Sequence, residues 1–420
     1  MLCGARTQNG EHIANSIECP CPSYACGNLI IYKNSDDFKM WKLLLFLTIA
    51  ISGQQSSITI MGRICSSEPI TISNGYMQNL IDSMDPYLSS CSYAKTRMPL
   101  GEMNIVVGPV DIPCGGVIPV GFQGNGIAWS GYTCNNIDYL GWITFAQNYV
   151  KTVYKIDPAN FNHTILVMFG NVTLKCPWSG LSDVSCSANS NCHIWLQSLG
   201  LANIYYEQQS MILHELGHNW GLLHSSTPGS EYGDFSCAMA SCCGERCYNV
   251  YQSRKMGWSL PIASIVEPLK GTWYSYVIPG LLLTDTNHIT IDLNATIDKG
   301  LYFISFRVPY GYDIYLLPYL QNMVYVHYIP SKNIDALQKP ILYAMLSAMP
   351  NNNTYVLANT ITIKVDNINY GVNADISFCI PWTGTKPCGV DINCDGIIEE
   401  CTPMPLPLPL ATNNCTCCCS

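Results

Sequence analysis

The stretch HELGHNWGLLH, His214 to His224, places three of the chain's eight histidines on one short segment. That spacing demands a helix that stops on cue. His214 and His218 are four residues apart, so on a helix they share one face, one turn above the other. Glu215 stands one step round from the first of them. Gly221 can take a positive φ without steric cost, and the turn it makes brings His224 back towards the other two. Three neutral imidazoles suit zinc, and three protein ligands leave a fourth position open to water, which is the pattern of a catalytic site and not of a closed structural one. Glu215 is then the expected base for that water. Ordinary core or surface histidines would need none of this arrangement.

Composition sets the surroundings. The chain has 420 residues, enough for two or three domains, and its 23 cysteines point to an oxidising compartment. Their connectivity cannot be read from the sequence. A net charge of −9 with only 20 Lys plus Arg argues against nucleic acid as a partner. MWKLLLFLTIAISG, Met40 to Gly53, has a Lys-bearing start, an apolar run from Leu43 to Ile51 and small residues after it. It reads as a signal peptide, with residues 1–39 as an upstream extension, and its apolar run is too short to span a bilayer comfortably. A short signal-anchor or a buried strand is the competing reading. No later segment is long enough for a stable membrane span. Acceptor tripeptides at Asn162, Asn171, Asn294, Asn352 and Asn414 are glycosylation candidates of a kind compatible with secretion.

The segment pattern predicts an α+β fold. Met103–Val110 and His163–Val172 read as buried strands, and Asp138–Ile156 as a long helix. CHIWLQS, Cys192–Ser198, reads as a strand on the rim of a cleft, and Tyr205–Leu223 as the helix that carries the histidines. Cys247–Trp258 reads as a short closing helix. Beyond Leu260, HITIDL, LYFISFRVP, MVYVHYIP, TITIKV and ADISFC look like short strands separated by turns, a β-sandwich in outline. The expected domains are therefore 54–259, 260–380 and a Cys- and Pro-rich tail, 381–420. In the tail, DINCDGIIEEC places Asp391, Asn393 and Asp395 like the front of a calcium loop. Position twelve is Thr402 instead of a bidentate acid, and a cysteine-stapled turn competes with calcium binding. Pro403–Leu410 reads as an extended polyproline spacer.

HExxHxxGxxH is the metzincin signature, which is accompanied by a methionine turn beneath the ligands. Met239 in YGDFSCAMA is the candidate for that turn. CPWSGLSDVSC, NCHIWLQSLG, HELGHNWGLLH, YGDFSCAM and CYNVYQSRKMGW, in that order over residues 160–260, together resemble the gametolysin group of metzincins. The resemblance implies a metzincin-like protease domain with a twisted mixed sheet and an active-site helix. It also implies a secreted zinc endopeptidase acting on proline- and hydroxyproline-rich matrix or wall glycoproteins. Carried onto this chain, it makes His214, His218 and His224 the ligands, Glu215 the base and Met239 the turn. Ser225 follows the third histidine where the adamalysin branch has Asp. Ser241 stands where astacin-like and serralysin-like enzymes carry an extra Tyr ligand, and both differences point away from those branches. No cysteine-switch motif is present, and Cys65, Cys91 or Cys114 could cap the metal only if not spent in disulfides. Tyr232 is a candidate helper for the oxyanion, and CHIWLQS a candidate edge for substrate strand addition. Two other readings fit the same residues: a non-catalytic wall-binding protein with a vestigial zinc site, or a matrix-type metzincin without wall specificity.

Overall fold

The run SITIMGRI, near the start of the described residues, becomes a buried interior strand of a five-stranded sheet. In the computed structural model, residues 53–397 are described, apart from 68, 71, 171–174, 187–190, 199–204, 242–243, 294–297, 358–359, 383–390 and 392. The segment expected to be a signal peptide, up to residue 52, together with Asn171, Asn294, Asn414 and the Pro-rich stretch 403–410, therefore lies outside the described residues. No described helix is long and apolar enough to cross a membrane.

The first half of the chain contributes β1 (Ser57–Ile64), α1 (Asn74–Asp82), α2 (Met84–Cys91), β2 (Asn104–Ile112), α3 (Asn136–Tyr149), β3 (His163–Phe169), β4 (Gly180–Ser182), β5 (Cys192–Gln197), α4 (Tyr205–Asn219) and α5 (Val250–Lys255). Its sheet has the order β2-β1-β3-β5-β4. The first four strands are parallel, and β4 closes the sheet antiparallel to β5. Parallel strands with both faces covered read as unbroken apolar runs, because successive side chains feed opposite cores. Thus Ile165 and Val167 of β3 pack with Ile212, Leu213 and Leu216 of α4, while Leu166 and Met168 pack with Trp142 and Ile143 of α3. Asn135 caps α3 by accepting from Ile137 and Asp138 N–H, and the Asp138 carboxylate accepts from Asn135 N–H, a reciprocal box that fixes where the helix starts.

CHIWLQS is not the rim of the sheet. As β5 it lies between β3 and β4, and β4, a strand of three residues, holds the edge. So short a strand has too few residues to show an alternation.

The second half contributes β6 (Leu260–Val266), β7 (Trp273–Pro279), β8 (Thr286–Asp292), β9 (Leu301–Arg307), β10 (Met323–Ile329), β11 (Ile341–Leu346), β12 (Thr354–Leu357), β13 (Ile361–Asn369) and β14 (Asn373–Cys379). These form a five-stranded sheet, β6-β8-β9-β10-β11, and a four-stranded sheet, β7-β14-β13-β12. Ile289, Ile304 and Val326 of the first sheet share a buried cluster with Ile278, Ile363 and Phe378 of the second. All the described residues belong to one compact unit, and they form a mixed α+β structure.

Cysteines tie distant segments together. Disulfides join Cys65 to Cys114, Cys91 to Cys247, Cys134 to Cys176, Cys186 to Cys192 and Cys379 to Cys394. Cys65, Cys91 and Cys114 are thus spent in pairs, which removes each as a cap for the metal. In the Asp391 loop, one carboxylate oxygen of Asp391 accepts from Asp395 N–H and the other from Gly396 N–H and the Trp273 indole. With Cys394 bonded to Cys379, this is the stapled turn, and the calcium expectation gains no support from it.

Candidate metal centre

The helix α4 ends as its sequence requires. Gly221 N–H donates to His218 C=O and Leu222 N–H to Gly217 C=O, with Gly221 at φ +80°, the paired bonds of a glycine-capped helix end. The chain then reverses, and the three imidazoles converge. Their ligand atoms lie within 4.8 Å of one another, and theirs is the metal-capable cluster of His, Cys, Asp and Glu found among the described residues.

Each ring is held from behind. His214 Nδ1 lies 2.8 Å from Ala238 C=O, His218 Nδ1 2.8 Å from Leu222 C=O, and His224 Nδ1 2.8 Å from the Glu231 Oε1. Those oxygens can only accept, so every Nδ1 carries the proton and every Nε2 presents a lone pair. His218 Nε2 and His224 Nε2 then face each other at 3.1 Å with no proton between them. Two lone pairs at that distance repel unless a cation sits between them. Tetrahedral zinc with bonds of about 2.0–2.1 Å separates its nitrogens by roughly 3.3–3.4 Å, so the donor set and its spacing both fit. Electrostatics agree: burial pushes His214 down to about 3 and His218 down to about 4, and burial also lowers His224, against an opposing pull from Glu231. Burial thus favours the neutral, donor form of each ring.

Glu215 is buried beside the triad. Burial pushes its carboxyl up to about 7, opposed by a hydrogen bond from the Ser182 hydroxyl to Oε2 at 2.7 Å. A carboxyl poised near neutrality can take a proton and give it back. Gly180, on the same edge strand β4, allows this placement, because a Cβ there would lie 2.3 Å from Glu215 Oε1.

Met239 occupies the floor. It is fully buried, its C=O accepts from Ser225 N–H, and the preceding Ala238 C=O holds His214. Its sulfur packs on Gly217 so closely that a Cβ on Gly217 would come within 2.4 Å. Tyr232, half-exposed, lays its ring 4.0 Å from that of His224. Sequence reasoning missed Gly180, Ser182 and Glu231. The first two sit in WSGLSD with no periodic signal, and Glu231 is an unremarked acid in a turn-rich loop.

Asn162 and Asn352 are placed differently. The Asn162 amide oxygen accepts from both Ser56 N–H and the Ser56 hydroxyl, and Thr164 of its tripeptide is fully buried. Asn352, on the turn before β12, and Thr354, the first residue of that strand, are both exposed.

The family model described as Gametolysin peptidase M11 matches residues 71–344. A curated relative, Autolysin of Chlamydomonas reinhardtii, is 24% identical over 399 residues, covering 75% of this chain. The chain spans 61% of that relative's length. Among solved structures, an archaemetzincin from Methanopyrus kandleri aligns over 48% of this chain and 94% of its own at 9% identity. Its TM-score is 0.25, a superposition too weak to carry an argument about fold. Because the family model covers well over half of the sequence and spans the three histidines, the chain belongs to the gametolysin peptidase M11 family.

Proposed function

We propose that this chain is a secreted zinc-dependent endopeptidase that cleaves proline- and hydroxyproline-rich glycoproteins of a cell wall or extracellular matrix. The observation that carries the reading is the convergence of three back-braced imidazoles beside a buried carboxyl held at a sheet edge. His214, His218 and His224 would hold the metal, and zinc, when bound, supplies Lewis acidity that acidifies water and polarises a carbonyl. The rest is done by the chain. Glu215 takes a proton from the attacking water and passes it to the leaving amine, a step typically worth about 10²–10⁴-fold in rate. Ser182 keeps one carboxylate oxygen turned into place, so the other is left for that exchange. An extended substrate adds as a further strand along the outer edge of β4, which brings its peptide bond alongside Glu215. Membership of the gametolysin family and similarity to a protein named Autolysin support the wall substrate. The disulfides support an extracellular location. We assign catalysis to residues 54–259, with Met239 as the turn under the ligands, and place a β-sandwich-like region at 260–380. Glycosylation is proposed at Asn352, since Asn162 has its amide engaged.

The test is Glu215→Gln. It should keep stoichiometric zinc while digestion of a proline-rich wall glycoprotein falls at least 10²-fold. Wild-type turnover by this variant, or activity that survives a chelator, would overturn the assignment. Equal cleavage of gelatin and wall glycoprotein would retain the peptidase and remove the wall specificity.

A further inference from the structure

The third histidine is held by a part of the chain far from the motif. His224 Nδ1–H donates to Glu231 Oε1 at 2.8 Å, and the Lys339 ammonium donates to the same oxygen at 2.6 Å. Lys339 lies 108 residues beyond Glu231, in the segment that leads into β11. The same segment grips the histidine loop a second time. Ser226 N–H donates to Pro340 C=O at 2.9 Å, and Leu342 N–H donates to Ser226 C=O at 2.7 Å. One backbone clamp and one side-chain clamp thus hold the stretch from His224 to Glu231 at both its ends.

From this geometry we infer that Glu231 and Lys339 are positioning residues for the metal centre, so that the β-rich second half of the chain sets the third ligand. The inference rests on the metal site proposed above. The chemistry of each member differs. Glu231 fixes the ring plane of His224 and keeps the proton on Nδ1, which leaves Nε2 as the donor; such outer partners of metal-bound histidines typically change metal affinity 10–100-fold when removed. Lys339 pairs with the carboxylate oxygen that His224 also engages, which holds that oxygen in line with the ring. It also restrains Glu231, which is otherwise half-exposed and free to turn into solvent. His214 and His218 have no equivalent, because backbone carbonyls brace them. Only the third ligand depends on a side chain, and that side chain depends on the far half of the sequence.

The experiment measures zinc dissociation constants by chelator competition for the full chain, with the d–d spectrum of the cobalt(II)-loaded protein as a second readout. Glu231→Ala should weaken zinc binding about 10–100-fold and shift the cobalt spectrum towards that of His224→Ala. Lys339→Ala should weaken zinc about two- to fivefold, the range of a half-exposed ion pair, and Lys339→Arg should restore it. The melting temperature of each metal-free variant should stay at the wild-type value, because both side chains are half-exposed. Wild-type protein that binds no zinc would refute the proposed function together with the inference. Wild-type protein that binds zinc, alongside a Glu231→Ala variant that binds it equally well, would refute the inference alone. So would an affinity loss matched by a fall in metal-free melting temperature, or a failure of Lys339→Arg to rescue.

Discussion

Gly217 offers a sharp test of how the metal floor is built. Its position in HELGH faces the Met239 turn, and the Cβ of Gly217→Ala would lie 2.4 Å from Met239 Sδ, 2.9 Å from the Tyr248 hydroxyl and 3.3 Å from Met239 Cε. Ordinary contact for such atoms is about 3.5–4.0 Å, so the turn and the helix must part. Overpacking a filled core costs about 1–3 kcal/mol. The Tyr248 hydroxyl donates to Leu213 C=O at 2.7 Å, and losing that bond adds about 1 kcal/mol. Alanine regains roughly 1 kcal/mol over glycine in a helix. The net expectation is a loss of about 1–3 kcal/mol, read as a lower denaturant midpoint of the metal-free protein. Because Ala238 C=O braces His214 from the same turn, zinc affinity should fall as well. Met239→Ala alone leaves a cavity worth about 2–5 kcal/mol, but it also makes room for the new methyl. The double variant should therefore be more stable than the sum of the two losses by at least about 0.5 kcal/mol. Strict additivity, or a Gly217→Ala protein as stable and as zinc-avid as wild type, would refute this account of the glycine.

Gly180→Ala should leave folding and zinc content intact, since the flexible end of Glu215 can move away, yet lower kcat/KM by roughly 10²-fold or more; unchanged kcat/KM would separate Gly180 from the placement of the base. Acid should destabilise the fold through two buried neutral histidines outside the metal site, His163, pushed down by burial to about 4, and His288, pushed down by burial to about 3. Their folded values lie below the ordinary 6.5, so their contribution is complete above pH 6.5 and is lost as pH falls towards the folded values. Between pH 6.5 and 5 each should cost about 2 kcal/mol, and a flat denaturation free energy over that window, or one unchanged in His288→Leu, would contradict it. Replacing both Cys91 and Cys247 by Ala should cost about 2–5 kcal/mol in denaturant stability, and a wild-type midpoint would show that the link stabilises nothing.

The motif was readable because its geometry is local. Three histidines and a glycine within one helix and its cap carry their own coordinates, and the structure brings His214, His218 and His224 together with Met239 beneath them. What sequence could not convey is what arrives from elsewhere. Lys339 reaches Glu231 across 108 residues, and no periodicity connects them. CHIWLQS reads as a rim strand because it alternates, whereas the true edge, Gly180–Ser182, is too short for any pattern to register. The segment 57–91 offers no alternation of burial to read, since its strand is buried on both faces, yet it supplies an interior strand and two helices. The Asp391 loop shows the converse. Its acids mimic a cation loop, but backbone amides and an indole consume the first carboxylate.

Because β1 is flanked on one side by β2 and on the other by β3, its position limits how far the amino terminus can be trimmed. Gly53 and Gln54 already pair with Thr96 and Arg97, and Ser56 C=O receives His163 N–H. A cut before Gly53 spares every one of these bonds. A cut only a handful of residues later would withdraw the central ribbon and unzip the two sides of the sheet. Any cleavage that shortens the amino terminus therefore has almost no slack between sparing this sheet and opening it.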